Sequence, residues 1–576
     1  MTNKVEFKKI YNNVEDYPTI TQVAEYFGKG ETAIRDMARK FRNQGVDLID
    51  RNRNAESILE FKRVYNDLVS FPTMEAVAEE LGLSLQKVRK MVRRMEVLGI
   101  QVSSRSKADI QAAAEKDKFE NQYSRESLER VEKLKVKSGL YFITALELGA
   151  PVDPKFLASV EKFCEVEGAE LVLLPMRSHA PFDENTPYDF RVAEKHLQSI
   201  YTELHLNGHL SIIELGLNSQ QVLPLTGTVR TSQGNQSTLI AHSKQHLRML
   251  PTGNLSLPKM QASTGAITIA NYKNNRIGKI ATKDHVVGGF IVDTNKDTFF
   301  TYQVQVDKKE GHFYWKNKRY SGLGVCNARV EALVLGDIHP GFTYPKAWKA
   351  SEDQIKQLQP KEIYLHDLWE GISVSHHIRK NIGARSNIPA FINTLEKEIE
   401  VAKKFLLRIN EIKPDDCTIY VVPSNHPDFL HRYLDCGEFV NDPVNYRKAV
   451  ELAYAYHVLH KDPFQFALDP NEELAVWLKP DNDHETAGVA TGHHGHKGVG
   501  GARGSTIGAE FAYGKYMGGH THSPQILHGS FVVGTNSELR PKFVEGSPNT
   551  WIHCNGAIYP NGQRSLLFII DGKWEA

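Results

Sequence analysis

Five segments in the C-terminal half of the sequence place Asp, Asn and His residues directly after short apolar runs. The apolar runs have the length and composition of β-strands, so the polar residues fall at their carboxyl ends. The five segments are Gly336-Asp337-Ile338-His339, His366-Asp367, Ser424-Asn425-His426, His493-His494-Gly495-His496 and Gly519-His520-Thr521-His522. Imidazole, carboxylate and amide groups are ligands for divalent metals such as manganese, iron and zinc, and no segment contains a cysteine. The pattern therefore predicts a metal site.

An α/β sheet is the element that would bring these segments together. Helical sequence lies between the strands, and its clearest stretch runs from Pro389 to Asn410 with apolar residues on one stripe. Sites in open α/β sheets form outside the carboxyl ends of the strands, where the polar residues would meet. Two divalent ions about 3.5–4 Å apart can stabilise both the attacking and the leaving oxygen of a phosphoryl transfer. The segments thus predict a metal-dependent phosphoesterase.

The ordered series D-x-H, D, N-H, H and G-H-x-H resembles the calcineurin-like metallophosphoesterase superfamily over residues 328–576. The resemblance implies a four-layer αββα catalytic domain and two divalent metal ions, with Mn²⁺ favoured and Mg²⁺, Fe or Zn as alternatives. It implies that one metal is held by Asp337, His339 and His522, that Asp367 bridges the pair, and that Asn425, His494 and His520 complete the second site.

The same resemblance assigns His426 as the acid that serves the leaving oxygen or stabilises the transition state. Two positions depart from the usual motifs, because His366 stands where a glycine is common and Ser424 precedes the asparagine. In the fourth segment His493, His494 and His496 compete for one ligand position, and the H-G-H spacing favours His494.

The N-terminal region repeats with a period of 54 residues: the segment 6–12 returns as 60–66, and 17–28 returns as 71–82. Each copy has the pattern of a short helix, a glycine turn and a second helix, so we predict duplicated helix-turn-helix-like units at 1–54 and 55–102. The second copy carries the predicted nucleic-acid contacts Lys87, Arg89, Lys90, Arg93 and Arg94. A protein-binding scaffold with a solvated basic face is the alternative.

Two further regions complete the predicted domain organisation. Residues 103–137 are highly charged and predict a helical linker. Residues 138–327 begin as a βαβ unit and contain no phosphate-binding loop, so they predict a mixed α/β middle domain for substrate grip or oligomerisation.

Composition sets limits on the class of protein. The 576 residues carry a formal net charge of +1, so basic surfaces must be local rather than global. The five cysteines show no C-x-x-C spacing, which fits a reducing cytoplasm. The sequence has no signal-peptide pattern and no apolar run of membrane-spanning length. We therefore expect a soluble cytoplasmic protein without a membrane partner.

The whole layout is similar to the family of pre-early DNA-degradation proteins of T5-type phages. That resemblance implies a manganese-favouring DNase that degrades host DNA in the host cytoplasm, with DNA as partner and a homo-oligomeric state. One alternative is a phosphatase or nucleotide phosphodiesterase whose N-terminal units bind protein. The other is a non-catalytic DNA-binding regulator.

Overall fold

The computed structural model describes residues 3–13, 16–17, 19–49, 51–68, 70–98, 100–111, 139–176, 189–232, 234–253, 258–306 and 309–576. The chain forms two compact units, 1–125 and 126–576. Most of the predicted charged linker, 103–137, lies outside the described residues. Within the described ranges, every helix is too short or too polar to cross a membrane.

The first unit is entirely helical. Its helices are α1 (Lys4–Asn12), α2 (Ile20–Tyr26), α3 (Glu31–Asn43), α4 (Arg51–Asn66), α5 (Met74–Glu80) and α6 (Leu85–Leu98). The side chains of Thr19 and Thr73 cap α2 and α5 at equivalent positions of the two copies. Gly28 and Gly82 form the turns with φ of +59° and +60°, values that glycine adopts at little cost. The two predicted helix pairs are confirmed.

The second unit has a mixed α/β architecture, which confirms the predicted α/β class. Its helices are α7 (Pro154–Glu167), α8 (Phe190–Lys195), α9 (Arg276–Asp284), α10 (Pro345–Leu358), α11 (His376–Arg379), α12 (Ile382–Ser386), α13 (Leu395–Ile412), α14 (Pro427–Asp435), α15 (Tyr446–His457), α16 (Pro463–Leu468) and α17 (Thr506–Tyr513). The first half of its strands comprises β1 (Gly139–Glu147), β2 (Glu170–Met176), β3 (Glu203–Leu206), β4 (Leu210–Ile213), β5 (Ser237–Ile240), β6 (Leu247–Leu250), β7 (Lys259–Ser263), β8 (Gly288–Thr294), β9 (Phe299–Gln305), β10 (Phe313–Trp315), β11 (Lys318–Ser321) and β12 (Gly324–Asn327). The remaining strands are β13 (Ala332–Val334), β14 (Glu362–Leu365), β15 (Thr418–Val421), β16 (Val476–Trp477), β17 (Glu485–Thr486), β18 (Val489–Ala490), β19 (Tyr516–Gly518), β20 (Gln525–Leu527), β21 (Ser530–Val532), β22 (Cys554–Ile558) and β23 (Arg564–Phe568).

A six-stranded sheet carries the first three predicted ligand segments. Its order is β16-β15-β14-β13-β22-β23, and β13 to β16 run parallel to one another. The carboxyl ends of β13, β14 and β15 therefore lie at one edge, where the chain continues into Asp337, Asp367 and Asn425. The predicted convergence of these strand ends is confirmed.

A ten-stranded sheet carries the other two segments, in the order β17-β18-β19-β21-β20-β6-β7-β5-β4-β3. Strands β3 to β7 come from the predicted middle region, and they join the C-terminal strands where Leu247 of β6 pairs with Ile526 of β20. The pairing satisfies the open edge of each set of strands. The position 327/328, predicted as a domain boundary, is therefore crossed by a continuous sheet within one compact unit.

One local prediction differs from the structure. The helix predicted from Pro389 begins instead at Leu395, because the Thr394 side chain accepts the Lys397 N–H and forms the N-cap. Strands β22 and β23 form a hairpin around Asn561-Gly562, and this hairpin joins β13 in the six-stranded sheet. Buried residues of both large sheets share one hydrophobic core.

Candidate metal centre and basic helix

Four of the predicted ligands have a backbone conformation that non-glycine residues rarely adopt. The φ angles are +47° at His339, +45° at Asp367, +77° at His520 and +57° at His522. Such left-handed residues cost on the order of 1–3 kcal/mol each and cluster at functional sites. Each turn aims a side chain back over its strand end, so the fold accepts local strain to bring these groups together.

Asp337, His339, Asp367 and His522 form one compact cluster, and each offers a ligand atom within 4.8 Å of the others. His522 Nε2 lies 3.1 Å from Asp337 Oδ2 and 3.0 Å from His339 Nε2. His339 Nε2 lies 3.4 Å from Asp367 Oδ2. The structure thus brings together the residues that the sequence assigned to the first metal and to the bridge.

His494 also lies close to both carboxylates. Its Nε2 is 3.3 Å from Asp367 Oδ2, and its Nδ1 is 3.8 Å from Asp337 Oδ1. His520 is adjacent to His494, since their ring centroids lie 5.2 Å apart. The backbone N–H of His520 donates to Asp337 Oδ2 over 2.8 Å. The placement of His494 and His520 agrees with a second metal position that shares Asp367.

The other two histidines of the fourth segment have different surroundings. His493 Nε2 lies 3.1 Å from Asp483 Oδ1, and its ring stacks on Tyr513 with centroids 4.5 Å apart. The His496 ring is 5.5 Å from the His494 ring, and burial lowers its pKa to about 4. His494 alone of the three has a ring nitrogen within 4 Å of both carboxylates, as the H-G-H spacing predicts.

Unsatisfied polar atoms show that these residues suit a cation. Among the described residues, Asp337 Oδ1, Asp367 Oδ1, Asn425 Oδ1 and His494 Nε2 are buried and make no hydrogen bond. A buried polar atom left without a partner costs about 1–3 kcal/mol, so their concentration at one place calls for a ligand. The donor set of carboxylate, amide and imidazole suits Mn²⁺, Fe or Zn²⁺ and lacks the thiolates of a soft-metal site.

The carboxylates and imidazoles shift one another's protonation. Burial by itself raises the pKa of Asp367, but the neighbouring His494, His426 and His339 hold it well below its usual value. Burial by itself lowers the pKa of His339, yet Glu370 and the two aspartates raise it to about 9. The aspartates are therefore anionic at neutral pH and available to a cation, whose binding would displace protons from the imidazoles.

Glu370, which the sequence reasoning missed, contacts two site histidines at once. His339 Nδ1 lies 2.6 Å from Glu370 Oε2, and His426 Nδ1 donates to the Glu370 backbone oxygen over 2.6 Å. Both histidines consequently turn Nε2 toward Asp367, at 3.4 Å for His339 and 3.9 Å for His426. The carboxylate three positions after Asp367 was the signal available in the sequence.

Glu398 of α13 holds the loop that follows Glu370. Its carboxyl group accepts the N–H of Ile372 over 2.9 Å and that of Ser373 over 3.0 Å. Complete burial raises the pKa of Glu398 to about 7. The helix α13 thereby fixes the backbone from which Glu370 reaches the site.

His366, the departure in the second segment, is buried beside the site rather than crowding it out. Its Nδ1 lies 3.2 Å from His494 Nδ1, so one imidazole donates to the other and leaves His494 Nε2 facing Asp367. Because Gly519 has no side chain, there is room for this arrangement. A Cβ at this position would collide with Asp337 Oδ1 and lie 3.5 Å from His366 Cγ.

The predicted nucleic-acid contacts are exposed on α6 of the first unit. No ion pair neutralises them within the described part of the chain, although the equivalent helix α3 pairs Arg35 with Glu31 at 2.9 Å and Arg39 with Asp36 at 3.3 Å. The five unneutralised cations are Lys87, Arg89, Lys90, Arg93 and Arg94. The two copies of the repeat therefore present different electrostatic surfaces.

Comparison with known proteins shows a similarity to a phage protein. Protein A1 of Escherichia phage T5 is 26% identical over 478 residues, which cover 77% of this chain and 84% of that protein. No family model matches the chain. No solved structure matches it either. The similarity supports the phage relationship expected from the sequence.

The contact between Glu370 and His339 predicts an effect on metal binding. Glu370→Gln removes the carboxylate charge that orients His339, so Mn²⁺ affinity measured by calorimetry should fall about 10–100-fold. Glu352→Gln, which alters a carboxylate on α10 that pairs with Arg408, is the control and should bind Mn²⁺ normally. Unchanged affinity in Glu370→Gln would contradict the positioning role.

The missing side chain at Gly519 predicts a second effect. Gly519→Ala places a methyl group against Asp337, so the carboxylate must move and Mn²⁺ binding should be lost while the circular dichroism spectrum stays native. Gly383→Ala, whose Cβ would meet only the Asn381 Oδ1 at 3.5 Å, should bind as the wild type does. Normal metal binding by Gly519→Ala would show that the site tolerates displacement of Asp337.

Proposed function

We propose that this protein is a two-metal-dependent DNA phosphodiesterase whose catalytic region has the four-layer metallophosphoesterase arrangement. The observation that carries the proposal is the cluster of Asp337, His339, Asp367 and His522, with His494 3.3 Å from Asp367. Its carboxylates are buried, anionic and short of hydrogen bonds. Such a cluster is suited to holding two hard cations on a shared carboxylate.

The protein residues divide into ligands and one acid. Asp337, His339 and His522 would hold one ion, with Asp367 shared between the two. Asn425, His494 and His520 would hold the second. When bound, the divalent ions would polarise the phosphoryl group and lower the pKa of the attacking water. Mn²⁺ is the proposed metal, with Mg²⁺, Fe or Zn²⁺ as alternatives.

His426 is placed to act on the leaving oxygen. Because its Nδ1–H is engaged by the Glu370 backbone oxygen, Nε2 carries a proton only when the ring is charged. Nε2 lies 3.9 Å from Asp367 Oδ2, and in the charged form it can donate a proton. The geometry thus supports His426 as the general acid.

DNA is the substrate that the N-terminal repeat favours. The five exposed cations of α6 suit phosphate contacts, which neutralise the backbone without reading its sequence. The 26% identity with Protein A1 of Escherichia phage T5 supports a role during phage infection, which we propose is degradation of host DNA in the host cytoplasm. Self-association stays a prediction.

Two other functions are weaker proposals. A phosphatase or nucleotide phosphodiesterase whose N-terminal units bind protein would use the same metal centre, but it does not require the exposed cations of α6. A non-catalytic regulator would not need the buried, unpartnered oxygens of Asp337 and Asp367, which decay of the site would be expected to replace.

Nuclease activity is tested with purified protein and linear and circular DNA. Cleavage should require Mn²⁺ or another divalent ion, stop with chelator, and fall by at least about 10³-fold in Asp367→Asn, because the shared carboxylate is lost. Filter binding of DNA should persist in Asp367→Asn. DNA left whole alongside rapid hydrolysis of p-nitrophenyl phosphate would favour the phosphatase instead.

The difference in charge pairing between α6 and the equivalent helix α3 gives a matched test of DNA binding. The triple variant Lys87→Ala/Lys90→Ala/Arg94→Ala should weaken binding and reduce the slope of log K against log salt by about 2–3, roughly one per phosphate contact. The control Arg35→Ala/Arg39→Ala removes cations already paired with carboxylates and should change the slope little. Equal effects in both variants would assign α6 no special role.

A further inference from the structure

A cleft of about 830 Å³ opens beside the metal centre. His494 and Gly519 belong to its wall, so the cleft reaches the side of the site that lies nearest the second metal position. The remaining walls come from residues 460–483 and from the glycine-rich segment 492–509. Of the proposed metal ligands only His494 lines the cleft, which leaves most of this space without a role so far.

Three exposed lysines line the cleft. Lys461, Lys479 and Lys497 line it and are exposed, and none of them forms an ion pair with any residue that the structure describes. Lysine amino groups near a metal pair suit the phosphates that flank a scissile phosphodiester. The cleft can therefore bind the phosphodiester backbone of DNA as well as a base.

Stacked rings form part of the same wall. His493 stacks on Tyr513 with an interplanar angle of 17°, and Tyr513 stacks on Tyr516 with centroids 5.8 Å apart. Stacking on such rings is how single-stranded nucleic acids are held without sequence preference, and it contributes about 1–3 kcal/mol per base. A base entering the cleft would meet this column of rings.

The wall also offers hydrogen-bonding groups suited to a base edge. Both ring nitrogens of His496 are buried and make no hydrogen bond with the described residues. Six carboxylates line the cleft as well. Asp462 and Asp469 accept hydrogen bonds from His431 and Trp477, and the others are Asp428, Glu472, Asp481 and Asp483. Carboxylates repel phosphates but accept hydrogen bonds from the exocyclic amino groups of bases.

Size decides between paired and unpaired DNA. The volume lies within the range of about 300–1,000 Å³ found for pockets that enclose a small ligand, so a single nucleotide fits but a base-paired duplex does not. Enzymes with such pockets act on single strands or extrude a nucleotide, at a cost of a few kcal/mol in a duplex. We propose that the cleft receives one unpaired nucleotide next to the scissile phosphate. The proposal rests on the DNase function and narrows its substrate to single-stranded or frayed DNA.

The test compares one oligonucleotide as a single strand and in a fully paired duplex. The wild type should cut the single strand at least about tenfold faster, as the cost of unpairing predicts. Lys479→Ala/Lys497→Ala should raise KM for the single strand about tenfold with kcat within about twofold, since phosphate contacts are lost and the metal centre is intact. Hydrolysis of bis(p-nitrophenyl) phosphate should not change. Lys349→Ala, an exposed lysine of α10 outside the cleft, is the matched control.

Equal rates on both forms of DNA, or a double variant that behaves as the wild type, would overturn the proposal. If neither DNA is cut while bis(p-nitrophenyl) phosphate is hydrolysed, the proposed DNase function is wrong. In that case, calorimetry with a trideoxynucleotide tests separately whether the cleft binds an unpaired nucleotide. Binding by the wild type that is lost in Lys479→Ala/Lys497→Ala would still support an unpaired-nucleotide site. Equal binding or no binding would overturn it.

Discussion

Two buried carboxylates, Asp337 and Asp367, impose the constraint that the surrounding residues of the second unit satisfy. Their oxygens lie within 4.8 Å of each other, and both side chains are almost fully buried. Anions taken out of water at this spacing repel each other and lose hydration, so they persist only with compensating positive charge. The surrounding imidazoles supply part of that charge, and metal ions would supply the rest.

The fold provides this compensation by combining the ends of strands from two sheets. The six-stranded sheet delivers both aspartates and His339, while His494, His520 and His522 follow strands of the ten-stranded sheet. The left-handed turns then rotate the side chains inward at a cost in backbone energy. A shared core beneath both sheets makes that cost tolerable, because the strand ends cannot relax independently.

The ligand segments could be predicted because strand ends and ligand chemistry are both local properties of the sequence. The H-G-H spacing likewise favours His494, and the structure places it next to both carboxylates. Glu370 and His366 could not be assigned, since their roles depend on loop geometry that residue spacing does not encode. The pairing of β6 with β20 in one sheet could not be predicted either, because Leu247 and Ile526 are far apart in the sequence.

The central claim is that Asp367 joins two metal ions, and electron paramagnetic resonance of the Mn²⁺-loaded protein tests it directly. Two manganese ions per chain by metal analysis, with the spectrum of a spin-coupled pair, is the expected result. Asp367→Asn should give isolated ions or fewer than two per chain. A wild-type protein that binds a single ion, or two ions with no coupling, would contradict the shared carboxylate and with it the two-metal account.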